Sequence, residues 1–130
     1  MIKAEEIPDE DLLYHRLHKN FFKNQPENNK FIRPGAIMNT GNAIPPGMST
    51  DWAKYSTPAE TRDRGAQSPD KYEVIKMVVG DVRKIPEQSV RHTPSNNNDA
   101  HTTVFGPKDS NHPEYRVMFT RVATLLQEID

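Results

Sequence analysis

The chain of 130 residues contains no cysteine, which excludes disulfide bonds, cysteine-ligated zinc and a thiol nucleophile together. No apolar stretch approaches the ~18 residues of a membrane-spanning helix, so no membrane association is expected. Charge of one sign is also missing. Seventeen Lys and Arg stand against eighteen Asp and Glu, nine against ten over residues 1–70 and eight against eight over 71–130. Strong, non-specific nucleic-acid binding relies on cations that neutralise phosphates, so it is not expected, although Arg83, Lys84 and Arg91 could form a local basic patch. The opening "MIKAEEIPDEDLL" is acidic where a secretory leader would be basic, which points to a soluble, cytoplasmic protein. Two catalytic signatures are absent as well. No Gly-x-Ser-x-Gly turn presents a nucleophile, and "GDVRKIPEQ", which follows a strand-like run, holds one glycine rather than a phosphate-cradling set. No cofactor is expected.

Hydrophobic residues make up only 34% of the chain, and eleven prolines and six glycines are spread along it. The length suits one domain over residues 1–130, with much irregular loop around a compact nucleus. Residues 1–9, broken by Pro8, read as a loose tail, and residues 20–47 as a long Pro/Asn-rich loop in which Ala36–Met38 could form one brief strand. "DLLYHRLH" alternates as a strand does and fits a short helix almost as well, and "KYEVIKMVV" is apolar on both faces, as an interior strand requires. Gly80-Asp81 reads as a turn or bulge before "DVRKI", and "SVRH" and "HTTVFG" read as strands bracketing an Asn-rich loop. Thr57, Pro58 and Glu60 form a helix-capping box, with Gly65 ending that helix. Trp52, the only tryptophan, is expected to pin this half to the core. The C-terminal segment reads as one long amphipathic helix capped at Asn111, with a stripe of Met118, Val122, Leu125 and Ile129. The expected fold is therefore α+β: a small, mainly antiparallel sheet of four or five strands, packed by the C-terminal helix.

Two constellations could carry chemistry. If "SVRH" and "HTTV" form a hairpin, His92 and His101 come near opposition at its mouth, where Cβ atoms of facing residues lie ~4.5–5.5 Å apart. They could then act as general base and acid on a phosphodiester, with Arg91 or Lys108 on the phosphoryl charge. With Asp99 they could instead hold a metal, although the spacing matches no familiar ligand pattern. The plainer reading is that Asn96–Asp99 cap the turn and the histidines merely end the strands. Elsewhere, Arg16 on a first strand followed by Ser49 resembles in outline the Arg-then-Ser order of transferase toxins that use a nicotinamide dinucleotide, where the arginine anchors phosphate. No Glu-x-Glu or Gln-x-Glu completes that outline, and a salt bridge or surface contact would explain Arg16 equally.

The order "LLYHRLH", "MSTDWAKYSTPAET", "RHTP" and "NDAHTTVFGPK" over residues 12 to 108 resembles a group of small uncharacterised bacterial proteins. These share a Leu-Tyr-Arg-Arg-like opening, a Met-Ser-Val-Asp-like segment before a Thr-Pro-Glu-Glu-like helix, and a closing Ala-His-x-x-Val-x-Gly-Lys. The resemblance implies no activity. It marks Arg16, Ser49, Asp51, His92, His101 and Lys108 as the polar positions to test, and His15 stands where the group tends to have a second arginine.

The leading expectation is a small binding or accessory protein acting with a protein partner, since no complete catalytic set is present and loops commonly carry recognition. It requires an apolar patch of several hundred Å² with Phe21, Phe22 or Ile44 exposed. The alternative is a phosphodiester- or nucleotide-processing enzyme or toxin using His92, His101 and Arg16 as catalytic residues, with Arg91, Lys108, Ser49 and Asp51 binding substrate. It requires His92, His101 and an arginine in one concave pocket.

Overall fold

In the computed structural model, which describes residues 2–24, 30–40, 45–126 and 129, alternation sets the first strand. β1 (Leu12–His18) buries Leu13, His15 and Leu17 and leaves the residues between them half-exposed. A hairpin of β2 (Phe22–Asn24) and β3 (Lys30–Ile32) follows inside the segment expected as loop. β4 (Gly47–Trp52), β5 (Tyr72–Val78), β6 (Ser89–His92), β7 (His101–Phe105) and β8 (Ala123–Leu126) join β1 in a six-stranded sheet, ordered β6-β7-β4-β1-β5-β8 with every pairing antiparallel. Among the described residues the α-helices are α1 (Pro58–Asp63), α2 (Val79–Arg83) and α3 (Pro113–Val122). The fold is α+β.

One sheet face makes the core. Leu13, Met48, Trp52, Met77, Val90 and Val104 meet Val79, Val82 and Ile85 from the α2 segment and Phe119 from α3. Trp52 is buried at the end of β4, and its Nε1 donates to Asp11 Oδ2 at 2.9 Å, so the indole spends its one donor inside the fold. Leu17, Ala36 and Ile75 form a smaller cluster, against which Phe21, Ile32 and Leu125 pack. The opposite face carries Arg16, Ser49, Asp51, Arg91, His101 and Thr103, because β-strand parity sends alternate residues there.

Several sequence expectations are corrected. The segment 1–9 is not a loose tail over its described residues. Ile7 is buried, Gly80 N donates to Asp9 O at 2.8 Å, and Arg83 Nη1 donates to Ile7 O at 2.7 Å, so one apolar anchor and backbone bonds hold it down. Ala36–Met38 is not a strand; Pro34–Ala36 is a single 3-10 turn, in keeping with the fixed φ of Pro34. Gly80-Asp81 is neither hairpin turn nor bulge but lies inside α2, because Val79, Val82 and Ile85 recur every three residues and bury a helical face. The long C-terminal helix ends at Val122 and becomes β8, since Ala123–Leu126 pair along β5, which would otherwise present a bare edge. Its cap is His112 rather than Asn111, and its buried residue is Phe119, with Met118 37% exposed. The Thr57 cap stands: Glu60 N donates to Thr57 Oγ1 at 3.2 Å, and Gly65 follows with φ +69°.

Trp52→Ala should cost about 3–5 kcal/mol, seen as a lower urea midpoint with an unchanged denaturant slope.

Candidate functional site

β1 and β4 are neighbours in the middle of the sheet, yet their register holds only two pairs, Leu13 with Trp52 and Tyr14 with Asp51. Along its other edge β1 is paired with β5 over seven residues. Beyond Tyr14 the two strands part, and the His15 ring occupies the parting. His15 Nδ1 lies 2.7 Å from the Ser49 carbonyl, which can only accept, so Nδ1 carries the proton and Nε2 keeps its lone pair. Burial pushes the His15 pKa below the ordinary imidazole value, outweighing the Ser49 carbonyl and the nearby Asp51 charge, so the ring is neutral. The gap opens as a cleft of about 290 Å³ lined by Arg16, Ser49, Asp51, Arg64, Asn98 and His101 among others.

Asp51 organises one wall. Its Oδ2 accepts from Thr61 Oγ1 at 2.9 Å and from Arg64 Nε at 3.4 Å, and its Oδ1 accepts from Asn98 Nδ2 at 2.8 Å. Thr61 and Arg64 lie three residues apart at the end of α1, so they share a helix face and reach one carboxylate. Ser56 Oγ meets Thr61 Oγ1 at 2.9 Å and accepts from Arg64 Nη2 at 3.2 Å. Arg16 Nη1 donates to the carbonyls of Arg62 and Arg64 at 3.1 and 2.7 Å, closing the C-terminal end of α1. Its guanidinium carbon sits 4.7 Å from the centre of the Tyr72 ring, while Nε and the second terminal nitrogen have no hydrogen-bond partner among the described residues. Arg64 Nη1 likewise has none among them. The cleft therefore holds two guanidinium groups against one carboxylate that is already well satisfied.

Ser49 and His101 make the other wall. Ser49 pairs with Thr103 and Asp51 with His101 across β4 and β7. Ser49 Oγ lies 3.2 Å from His101 Nε2, and His101 Nδ1 lies 3.0 Å from the Thr93 carbonyl and 2.9 Å from Thr93 Oγ1. The carbonyl again fixes the tautomer. Nδ1 donates, and Nε2 accepts from the serine hydroxyl.

Four sequence candidates thus meet in the cleft: Arg16, Ser49, Asp51 and His101. Three do not. The expected opposition of His92 and His101 is corrected by the register, which pairs His92 with Thr102, so a one-residue offset turns the rings to opposite faces. His92 is buried on the core side, edge-on to Trp52 and stacked on Tyr55; its Nδ1 accepts from Glu5 N at 3.0 Å and its Nε2 donates to the Asp99 carbonyl at 2.6 Å. Arg91 is exposed on β6, one strand beyond β7, and does not line the cleft. Lys108 is 2% exposed and lies elsewhere, giving its three donors to Asn39 Oδ1, Val104 O and Gly106 O at 2.8–2.9 Å beneath the Phe119 ring. Burial pushes its pKa down to about 7. A larger groove of about 510 Å³ runs beside it, but Pro45, Pro46, Phe105 and Pro107 form much of its wall.

Sequence reasoning missed Arg64, Thr61 and the carbonyl of Thr93. The capping box was the available signal for the first two, since a helix starting at Pro58 puts Thr61 and Arg64 on one face. Asn98 was read as a turn residue, and it does cap its own loop through Ala100 N to Asn98 Oδ1 at 3.0 Å while its amide reaches Asp51. Among the described residues no three acidic or histidine side chains cluster as metal ligands. Nor does any known family, curated protein or solved structure match this chain, so the site stands on its own geometry.

Two pH effects follow. Folded His15 resists protonation, so stability should fall as pH drops below the free imidazole value of about 6.5, and a His15→Gln variant should lose that part of the dependence. Folded Lys108 binds its proton less tightly than the unfolded chain does. Its contribution should therefore be full above the unfolded value of about 10.4 and be lost as pH falls toward 7. Urea midpoints measured from pH 7 to 10 should rise more steeply in the wild type than in Lys108→Met.

Proposed function

We propose that the cleft between β1 and β4 binds a small phosphate-bearing molecule of the nucleotide kind, and that the protein is a phosphodiester- or nucleotide-processing enzyme with His101 alone as its proton-transfer group, the paired-histidine form being given up because His92 lies in the core. One observation carries the reading: Arg16, Ser49, Arg64, Asn98 and His101, from five separate segments, line a single opening. Cations with unpartnered N–H groups favour a phosphoryl oxygen, because a guanidinium offers a planar fork of donors. A cleft of about 290 Å³ suits a compact ligand, near the lower end of the range for small-molecule sites. His101 presents the acceptor nitrogen to the cleft and its donor nitrogen to a backbone carbonyl, the arrangement that general-base chemistry requires. Asp51 holds Arg64 and Asn98 in place and contributes no reacting oxygen.

The protein-partner reading has less support. Among the described residues Met118 is the one large hydrophobic side chain that is exposed, and Phe21 packs on the smaller core cluster. Phe22 and Ile44, the other two side chains that reading relied on, lie outside the residues whose side chains are described.

Thermal shift against inorganic phosphate, mononucleotides and a dinucleoside phosphate tests the proposal. A ligand at 100 times its Kd should add about 2.7 kcal/mol, a rise of several degrees. Arg64→Ala should weaken binding about tenfold, equivalent to roughly 1.4 kcal/mol, and His101→Ala should abolish hydrolysis of bis(p-nitrophenyl) phosphate while sparing binding. No shift with any of these ligands at millimolar concentration would sink the reading.

A further inference from the structure

General-base catalysis at His101 raises the question of which group gives it a proton. Thr50 Oγ1 donates to the Thr102 carbonyl at 2.9 Å, and Thr61 Oγ1 donates to Asp51, so both hydroxyls are committed within the protein. Ser49 differs from them. It is exposed on β4, and among the described residues that line the cleft it is the hydroxyl in contact with an imidazole nitrogen, Nε2 of His101 at 3.2 Å. Three features of the fold hold that contact. The Ser49 backbone is fixed by its pairing with Thr103 and by the His15 ring on its carbonyl, and the His101 ring is fixed at Nδ1 by the Thr93 carbonyl. Thr93 is steadied in turn through Oγ1 to Thr103 Oγ1 at 2.7 Å. Such a chain of nucleophile, base and orienting acceptor is the geometric signature of an activated hydroxyl, with a carbonyl in the place a carboxylate often takes.

The geometry points to Ser49 as a nucleophile and His101 as its base, so that the cleft works through a covalent phosphoryl-serine intermediate rather than by direct attack of water. This inference rests on the reading of the cleft as a phosphate site. In the first half-reaction the Ser49 hydroxyl proton passes to His101 Nε2 as the Oγ–P bond forms. The bond from phosphorus to the leaving oxygen breaks on the side opposite Oγ, and that oxygen takes a proton from solvent while His101 keeps the serine proton. In the second, water bonds to phosphorus opposite Oγ and loses a proton to solvent, the P–Oγ bond breaks, and the Ser49 oxygen takes back the proton held on His101 Nε2. The ring is neutral and the serine protonated at the end of the cycle. Arg16 and Arg64 line the same cleft and supply positive charge where the phosphoryl oxygens gain negative charge.

Treatment of the intact 130-residue chain with an alkyl fluorophosphonate, read by intact mass and peptide mapping, tests the inference. The Ser49 oxygen displaces fluoride from phosphorus, and its proton leaves through His101 to solvent. One adduct on Ser49 is expected, absent in Ser49→Ala, formed at least 100-fold more slowly in His101→Ala, and slowed in the wild type by whichever nucleotide raises the melting temperature. Because His101 also contacts the loop at Thr93, His101→Gln serves as a second variant, with circular dichroism reporting that both fold. Labelling that proceeds unchanged in the folded His101 variants would overturn the dyad. So would the absence of label from Ser49 in a protein that nucleotides still stabilise, an outcome that leaves the phosphate site standing. A His101-dependent adduct without any nucleotide shift upholds the dyad and removes the phosphate reading alone.

Discussion

The short ladder between β1 and β4 is the constraint on which the site depends. A six-stranded sheet whose two central strands stayed paired would be closed there, because ladder hydrogen bonds hold neighbouring strands ~4.8 Å apart. After two register pairs the strands separate, and backbone groups that would have bonded each other need other partners. His15 supplies one by donating to the Ser49 carbonyl. An imidazole is long enough to span the gap while leaving it open on one side, which a second ladder bond would not do. The substitution of a side chain for a ladder bond also fixes the Ser49 backbone, and so the position of its hydroxyl. Sheet geometry and site geometry are in this sense the same feature.

A buried carboxylate is costly unless its lone pairs are filled, and Asp51 fills them from two directions. Thr61 and Arg64 approach from α1, and Asn98 approaches from the loop between β6 and β7. The three contacts tie α1 and the loop between β6 and β7 to one carboxylate on β4. Arg64 remains partly exposed in this arrangement, with its side chain 34% accessible. That exposure limits what the ion pair adds to stability and leaves the guanidinium at the cleft. Arg16 plays the complementary part. It closes the end of α1 through one terminal nitrogen and so helps to hold the helix that carries Arg64.

Much of the sheet was legible from local pattern. Period-two alternation located β1, a run apolar on both faces located β5, a capping box located the start of α1, and the Asn-rich turn joined β6 to β7. What stayed illegible depended on tertiary pairing. Ala123–Leu126 continue an apolar helical stripe, and only the available edge of β5 makes them a strand. Val79, Val82 and Ile85 could serve a strand or a helix, and burial against Met77 and Phe119 in one core selects the helix. The site was partly visible, since Arg16, Ser49, Asp51 and His101 were named as polar positions worth testing. Their convergence was not visible, because it follows from β4 pairing with both β1 and β7, an order that residue spacing does not encode.

The two histidines show the same limit at the scale of one residue. A hairpin reading placed His92 and His101 symmetrically about the loop and implied that they face each other. In the register, His92 faces Thr102, and Thr93 N donates to the His101 carbonyl at 2.9 Å, so the pairing is offset by one position. Strand parity converts that offset into a change of face. His92 then joins Trp52 and Tyr55, where a neutral ring can stack and accept from the Glu5 backbone, and His101 joins Ser49 at the cleft. Two identical side chains nine positions apart are thus given different work by a single step in the ladder. The paired-imidazole arrangement loses one of its members, and the remaining ring has the Ser49 hydroxyl beside it, the contact on which the proposed dyad rests.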